Sequence, residues 1–393
     1  MEGESHYVNI RLPFITVRGE CAGDTLNING KPAPGEHSLL EFPLDLEAVS
    51  LGDTILEFSL FGYIPIQEMN VNVVPEIKAV PGGHSIGISL HSDGVMVVGF
   101  YQVASDGGLN LNPGRSAGIR IGDLIVAVEG HEVRNIEHTF QLLQEYASKG
   151  ALSVTLKRNQ QQMHTTIYPQ YCNEDNEHRI GVYIRDTTVG VGTLSFYEPQ
   201  TLRFGALGHI IMDTDTGNPV DMGGGEIVKA NIININAAKR GTPGEKTGVF
   251  MEDDGFRGNI DKNTHLGIYG YLEEPDDSPT PYSTPIPVAL ASQVQEGKAK
   301  MLTVIDGETI KSYDLKIERV NKQFEPADKG MVVQITDDEL LNKTGGIVQG
   351  MSGSPIIQDD KLVGVVTHVF VNDPSRGYGL FTEWMVYEAG LTS

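Results

Sequence analysis

The stretch GMSGSPII at residues 350–357 does most to decide the fold and the chemistry of this chain. Ser352 stands between Gly350 and Gly353, and Pro355 leads into two β-branched residues that favour a strand. A serine nucleophile needs its Oγ presented on a tight turn, with backbone N–H groups directed at the developing oxyanion. Glycines let the backbone bend and let a substrate carbonyl approach. Ser352 is therefore a candidate nucleophile. Taken alone, however, the hexapeptide GMSGSP at residues 350–355 fits an ordinary Gly-Ser turn without catalytic function equally well.

The hexapeptide resembles the GDSGGP pattern of chymotrypsin-like peptidases at four of its six positions. The resemblance implies that Ser352 is the nucleophile and that the N–H groups of Gly350 and Ser352 form the oxyanion hole. The GxSxG turn of α/β-hydrolases does not fit, because Ser354 occupies the place of its last glycine. Ser354 is the rival nucleophile, disfavoured because it precedes proline.

A general base must come from elsewhere in the chain. His209, in the run AlaLeuGlyHis, and His368 both lie in apolar, glycine-containing segments. A histidine in such a run is often only structural. His209 precedes the serine, as in the chain order His, Asp, Ser of chymotrypsin-like peptidases, so it is the predicted base. His368, which follows the serine, is the fallback.

The carboxylate that would orient this histidine has several candidates. Asp213 and Asp215 follow His209 closely, and Asp337 and Asp338 precede the serine. Spacing alone does not choose between them.

A second region, residues 79–170, resembles PDZ domains associated with bacterial proteases. The resemblance rests on AlaGlyIle at 117–119, GlyAspLeuIle at 122–125 and ValGluGly at 128–130, followed by a predicted helix over 136–148. It implies that the loop receiving a peptide C-terminal carboxylate on its backbone N–H groups is Ser85, Ile86, Gly87 and Ile88. The alternative is that these glycines only form turns and the domain binds nothing.

The predicted fold class is mainly β, with three domains. These are an N-terminal β domain at residues 1–78, a PDZ domain at 79–170 and a chymotrypsin-like double β-barrel peptidase domain at 180–393. The 46 glycines favour turns and short strands over long helices.

Composition excludes several classes of function. A net charge of −23 repels phosphate backbones and anionic lipid, so nucleic acid is not an expected partner. Cys21 and Cys172 have no metal-binding spacing, and neither a metal nor another cofactor is expected. One disulfide between them is conceivable, but they lie in different predicted domains. No signal peptide, export segment or membrane span is predicted in the chain as given.

Longer motifs resemble the stage IV sporulation protein B peptidase family. They are TDDELLNKTGGIVQGMSGSPI at 336–356, FGALGH at 204–209 and GVYIRDTTVGVGTL at 181–194, with LFGYIPI at 60–66 and VNVVP at 71–75. The family's triad falls, motif by motif, on His209, Asp337 and Ser352.

The resemblance implies a signalling serine endopeptidase of endospore-forming bacteria, exported into the space between the forespore and mother-cell membranes. Its implied partner is a membrane-anchored regulator of an intramembrane metalloprotease, which it cleaves, and self-cleavage is a family trait. The main alternative is a catalytically dead PDZ scaffold that binds protein C-termini. A quality-control protease of broad specificity would need an oligomerisation segment that the sequence does not display.

Overall fold

The computed structural model of the chain describes residues 5–8, 15–21, 25–33, 35–37, 44–61, 63–104, 110–173, 176–251, 255–275, 279–323 and 325–391. These residues divide into two compact units, residues 1–78 with 390–393, and residues 79–389.

The first unit consists of short antiparallel strands: β1 (Ser5–Val8), β2 (Ile15–Cys21), β3 (Leu26–Ile28), β4 (Lys31–Pro32), β5 (Gly35–His37), β6 (Leu44–Ala48), β7 (Gly52–Leu60) and β8 (Ile64–Val73). They form two four-stranded sheets, in the orders β1-β6-β3-β4 and β5-β2-β7-β8. Strand β7 alternates buried and exposed residues, as expected for a strand with one face in a core. Leu26, Leu56 and Phe58 belong to that core.

The second unit contains the other strands and the helices. Its strands are β9 (Lys78–Pro81), β10 (Ser85–Phe100), β11 (Val103–Ala104), β12 (Asn110–Leu111), β13 (Leu124–Val128), β14 (His131–Glu132), β15 (Leu152–Arg158), β16 (Gln161–Ile167), β17 (Gln170–Cys172), β18 (Glu177–Arg179), β19 (Val182–Tyr197), β20 (Arg203–Ala206), β21 (Met222–Asn236), β22 (Glu245–Phe250), β23 (Arg257–Thr264), β24 (Gly267–Leu272), β25 (Ile286–Pro287), β26 (Gly297–Val304), β27 (Ile310–Val320), β28 (Met331–Ile335), β29 (Pro355–Gln358), β30 (Lys361–Phe370) and β31 (Asp373–Phe381). Its helices are α1 (Pro113–Ser116), α2 (Ile136–Tyr146), α3 (Asp338–Thr344) and α4 (Thr382–Glu388), with 3₁₀ turns at Ala147–Lys149 and Ala291–Gln293.

Two six-stranded barrels dominate this unit. The first closes in the order β10-β21-β23-β24-β20-β19, because β19 pairs back onto β10. The second closes in the order β26-β27-β28-β31-β30-β29. Each is filled by its inward-facing apolar side chains, such as Ile88 and Phe204 in the first and Met301 and Val333 in the second. The mainly β fold with a double-barrel domain, predicted from the sequence, is confirmed.

A smaller domain is inserted into the first barrel through its two longest strands. Strand β10 pairs with β19 along both halves, with β21 along its first half, and with β13 at Val95 and Met96. Strand β19 returns from the inserted domain and ends in the barrel. The inserted domain has its own core around Val97, Ile125 and Leu142.

This arrangement corrects the predicted division at residues 79–170 and 180–393. Residues 79–92 belong to the first barrel, whereas the start of β19 belongs to the inserted domain. The physical reason is that one continuous strand serves two cores, so no linker marks the boundary. The helix predicted over 136–148 is α2, capped by Asn135, whose Oδ1 accepts a hydrogen bond from the N–H of His138 at 2.8 Å.

Other sequence expectations concern cysteines, metals and membranes. Cys172 is a free, buried thiol, and the side chain of Cys21 lies outside the described residues. Within the described part of the chain, no cluster of three or more His, Cys, Asp or Glu residues could hold a metal ion. No helix among the described residues has both the length and the apolar character needed to cross a bilayer.

Candidate active site

Ser352 lies on the loop between α3 and β29, and glycines shape that loop. Gly350 and Gly353 both have φ of +93°, a backbone conformation that residues other than glycine rarely adopt. A Cβ on Gly353 would also lie 2.3 Å from the carbonyl oxygen of Thr193 and 2.5 Å from the nitrogen of Leu207. Glycine at 353 therefore lets the loop of the second barrel press against the first.

The end of β19 fixes this loop from the first barrel. The N–H of Thr193 donates to the carbonyl of Ser352 at 3.1 Å, and the Thr193 hydroxyl donates to the carbonyl of Gly350 at 2.7 Å. Ser352 Oγ donates to the carbonyl of Thr367 on β30 at 2.8 Å. The hydroxyl thus lies where the two barrels meet, partly exposed to solvent.

The two predicted oxyanion donors are available for a ligand. Neighbouring N–H groups are engaged: that of Met351 donates to Val348 at 3.1 Å and that of Gly353 to Val366 at 2.8 Å. Among the hydrogen bonds of the described residues, none uses the N–H of Gly350 or Ser352. Two free N–H groups on one tight loop form the kind of site that binds a developing oxyanion.

His209 follows β20 and reaches the same site. Leu207 and Gly208, both with positive φ, turn the chain there. A Cβ on Gly208 would lie 2.8 Å from the Cγ2 atoms of Thr367 and Val365, so the two barrels touch at this point as well. Because the Thr367 carbonyl accepts the Ser352 hydroxyl, the structure brings His209 and Ser352 to the same short segment of β30.

One hydrogen bond fixes the tautomer of His209. Its Nδ1 lies 2.9 Å from the carbonyl oxygen of Ile210. A carbonyl only accepts, so Nδ1 has the hydrogen and Nε2 keeps a lone pair. Burial lowers the pKa of His209 below its usual value of 6.5, because desolvation disfavours the imidazolium. At neutral pH this ring is therefore uncharged and can accept a proton at Nε2.

His368 lies beside this ring without replacing it. The ring centroids are 5.4 Å apart, and His368 is exposed on β30. Although its side chain is exposed overall, partial desolvation of the ring, and after it the charge of His209, lower the pKa of His368.

The structure does not bring Asp337 into hydrogen-bond contact with His209. Asp337 is the N-cap of α3: its Oδ1 accepts from the N–H of Leu340 at 3.0 Å and its Oδ2 from the N–H of Asp314 at 3.3 Å. Asp338 is exposed in the first turn of this helix.

The candidates that follow His209 are engaged elsewhere too. Asp213 and Asp215 both form ion pairs with Arg185. Within the described residues, no carboxylate shares a hydrogen bond with His209. The Ile210 carbonyl occupies the position on Nδ1 that a carboxylate takes in a Ser-His-Asp triad.

The rival nucleophile has no access to substrate. Ser354 is fully buried, and its hydroxyl donates to Thr303 Oγ1 at 3.1 Å. Next to Ser352, the outer edge of β30 beyond Val366 has no strand partner among the described residues, since β29 pairs only with its first part. A substrate main chain can add along this edge.

The predicted peptide-binding loop of the PDZ domain lies in the wrong place. Ser85, Ile86, Gly87 and Ile88 are buried in the first barrel, and Ile86 to Ile88 pair with β19 on one edge and β21 on the other. A strand whose two edges are both paired has no backbone groups left for a peptide. The structure contradicts the prediction that these residues receive a C-terminal carboxylate.

A groove lies instead between α2 and the start of β19, and its lining combines apolar residues with the polar or charged side chains of Gln144, Glu177, His178 and Arg179. Thr139, Phe140 and Leu143 line it from the helix, and Ile180, Val182 and Ile184 line it from the other side. Val182 to Ile184 pair with β10 on one edge only, so the edge that faces the groove is open.

A glycine turn closes one end of this groove. Gly181 has φ of +75°, and no described residue accepts a hydrogen bond from the N–H of Ile180 or Gly181. The sequence signal was the run ArgIleGlyVal at 179–182, which has the same apolar-Gly-apolar pattern as the segment chosen in the sequence analysis.

Comparisons with known proteins agree with this architecture. The family model of SpoIVB peptidase S55 matches residues 176–386, more than half of the chain, and a PDZ domain model matches residues 112–158. The second match confirms the predicted PDZ domain. No curated protein matches the chain.

Solved structures give weaker matches. The Rv3671c protease from M. tuberculosis, active form, is 15% identical and is matched over 52% of this chain and 74% of its own, with a TM-score of 0.31. The inactive form of that protease is 12% identical, over 52% of this chain and 84% of its own, with a TM-score of 0.30. Similarities this low support no statement about the present fold.

Proposed function

Because the chain belongs to the SpoIVB peptidase S55 family and is a serine peptidase, we propose that Ser352 and His209 perform its peptide hydrolysis. The observation that supports this most is the loop around Ser352, with two free N–H groups beside a neutral histidine whose Nε2 is unprotonated.

The reaction follows from the positions of these groups. Ser352 Oγ rotates away from the Thr367 carbonyl, attacks the scissile carbonyl and gives its proton to Nε2 of His209. The N–H groups of Gly350 and Ser352 stabilise the oxyanion. The imidazolium then protonates the leaving amine, and an acyl-enzyme on Ser352 remains. Water, deprotonated by His209, hydrolyses that ester and restores the free serine.

The resting hydrogen bond of Ser352 to Thr367 is compatible with this role. Hydrogen bonds between nucleophile and base are often long or misaligned without substrate and tighten only in the complex. The same bond, together with the lack of a carboxylate on His209 among the described residues, favours the alternative of a catalytically dead PDZ scaffold.

Two surfaces position a protein substrate. The open edge of β30 pairs with the main chain around the scissile bond, so cleavage within a chain is favoured. The groove between α2 and β19 takes a peptide C-terminus, with its carboxylate on the N–H groups of Ile180 and Gly181 and its last side chain among apolar residues.

The family resemblance suggests the biological substrate. We place the enzyme in sporulation signalling, where it cleaves a membrane-anchored regulator of an intramembrane metalloprotease in the space between the forespore and mother-cell membranes. We also propose that the enzyme cleaves its own chain. These statements rest on the motifs shared with the family and not on the geometry.

The test is labelling with a fluorophosphonate probe, followed by peptide mapping of the adduct. We expect a single adduct on Ser352, none in the Ser352→Ala variant, and an unchanged one in the matched Ser354→Ala variant. If the folded wild-type protein neither reacts with the probe nor hydrolyses a short ester, the proposal is wrong and the protein is a catalytically dead PDZ scaffold.

A further inference from the structure

A lysine is buried directly behind the nucleophile loop. Lys246, on β22, is 2% exposed. No salt bridge within the described part of the chain includes it. A buried cation without a carboxylate partner is costly, and an apolar side chain of similar volume would be more stable there. Its presence therefore calls for an explanation other than stability.

Among the described residues, the amine forms hydrogen bonds with hydroxyl groups only. Lys246 Nζ donates to Thr303 Oγ1 at 2.9 Å and to Ser85 Oγ at 3.5 Å. Thr303 Oγ1 also accepts from Ser354 Oγ at 3.1 Å. These four side chains, all 2% exposed or less, form what we call the lysine–hydroxyl cluster. It joins β10 of the first barrel and β26 of the second to the residue two positions after the nucleophile.

Lys246 also contacts the loop on the other side of Ser352. Its backbone N–H donates to the carbonyl of Gln349 at 3.0 Å. Its side-chain stem covers Gly350 so closely that a Cβ on that glycine would lie 3.2 Å from Lys246 Cβ and Cδ. The lysine thus contacts the loop directly before the nucleophile, at Gln349 and Gly350, and is linked to it after the nucleophile, at Ser354, through Thr303.

We propose that Lys246 is a positioning residue for the oxyanion hole. It holds Gln349 and Gly350 by its backbone and stem, and Ser354 through Thr303. Together these contacts keep the N–H groups of Gly350 and Ser352 directed at the substrate carbonyl. This role rests on the proposed function of Ser352.

The residue before the nucleophile supports this role. It is Met351, which is fully buried and offers no carboxylate to an ammonium group. An inserted N-terminus would therefore find no partner beside Ser352, and an internal amine can order the loop without one. Burial lowers the pKa of Lys246 to about 7. Both its protonated and its neutral forms have N–H groups to donate to Thr303.

The test compares Lys246→Met with Lys311→Met, an exposed lysine on β27 that pairs with Glu339. Each purified variant is assayed with a short ester that does not reach the PDZ groove. Its melting temperature and its affinity for a C-terminal peptide are measured alongside. We expect Lys246→Met to lower kcat by about tenfold or more, with KM within about twofold of wild type, because only transition-state contacts are lost. Its melting temperature should be unchanged or raised, and Lys311→Met should be active.

A second variant guards against misfolding. Thr303→Val removes the hydroxyl that links Lys246 to Ser354 and keeps the shape of the side chain. It should lower kcat in the same direction, and the double variant should lose less than the product of the two single losses, because both act on one loop.

Three results would overturn the role: wild-type kcat in Lys246→Met, a loss of kcat matched by a fall in melting temperature, or wild-type kcat in Thr303→Val. If instead the wild-type protein itself is inactive, the proposed function fails and this role fails with it.

Discussion

Replacing Lys246 by methionine should make the protein more stable, and by an amount that depends on pH. Burial lowers the pKa of Lys246 from its ordinary value of 10.5 to about 7. At about 1.36 kcal/mol per unit, the largest difference in the free energy of unfolding is about 5 kcal/mol. Relaxation of the site and entry of water reduce that figure, so a gain of about 2 kcal/mol at neutral pH is a reasonable expectation.

The sign of the pH dependence follows from proton binding. Between pH 7 and 10.5 the unfolded chain holds a proton on Lys246 that the folded chain has released. The wild-type protein therefore becomes more stable as the pH rises through this window. Below pH 7 the penalty is fully present. The methionine variant has no such group, so its advantage over wild type should be largest near pH 6 and shrink towards pH 10.

Urea unfolding at several pH values between 6 and 10 measures this difference. Both proteins should contain Ser352→Ala, which prevents self-cleavage during the measurement. Trp384 is the single tryptophan and is buried in α4, so its fluorescence reports on the unit that contains Lys246. Lys311→Met in the same background is the control and should show no such trend. A methionine variant that is less stable than wild type at every pH would refute the argument that Lys246 is a buried, costly amine.

Three further predictions test the rest of the site. The activity on a short ester should rise through a pKa below 6.5 and stay high at pH 7, because burial disfavours the charged form of His209; a midpoint above 7 in the pH–rate profile would contradict this. Asp337→Asn should keep kcat within about tenfold of wild type, because asparagine is an equally good N-cap. Asp337→Ala should lower the free energy of unfolding by about 1 kcal/mol. A loss of kcat of about 10⁴-fold in the Asn variant would instead assign this carboxylate to the triad. Leu143→Glu should weaken binding of an apolar C-terminal peptide at least about tenfold, as seen by fluorescence anisotropy, without changing ester hydrolysis; equal binding of an amidated peptide would show that the groove does not recognise a carboxylate.

Local sequence patterns predicted the parts of the molecule that local rules determine. Glycines at 350 and 353 have the positive φ that a nucleophile turn requires, and α2 begins at its predicted cap. The sequence did not reveal the insertion of the PDZ domain, because β10 and β19 each pass from one core into another without a break. The pattern apolar-Gly-apolar is present both at 86–88 and at 180–182. Only strand pairing distinguishes the buried copy from the one at the edge of the groove.

The orienting group of His209 lay beyond sequence reasoning for a different reason. A sequence displays side chains, so the candidates that it offers for this role are carboxylates. In the structure a backbone carbonyl, that of Ile210, fixes the tautomer, and every residue has one. Asp337 was selected through the family motif, and in the structure this carboxylate caps α3.

Lys246 shows how a functional residue can contradict the pattern around it. Alternation in β22, whose sequence is EKTGVF, puts Lys246 on the same face as Gly248 and Phe250, and Val249 on the opposite face. Lys246 is buried on its face, whereas Val249 is 50% exposed. The exposed valine contributes no burial of apolar surface, and the buried amine without a carboxylate partner lowers the stability of the fold. Natural sequences break local rules in this way mainly at functional sites. The nearest candidate is the nucleophile loop, which Lys246 contacts at Gln349 and Gly350 and reaches at Ser354 through Thr303.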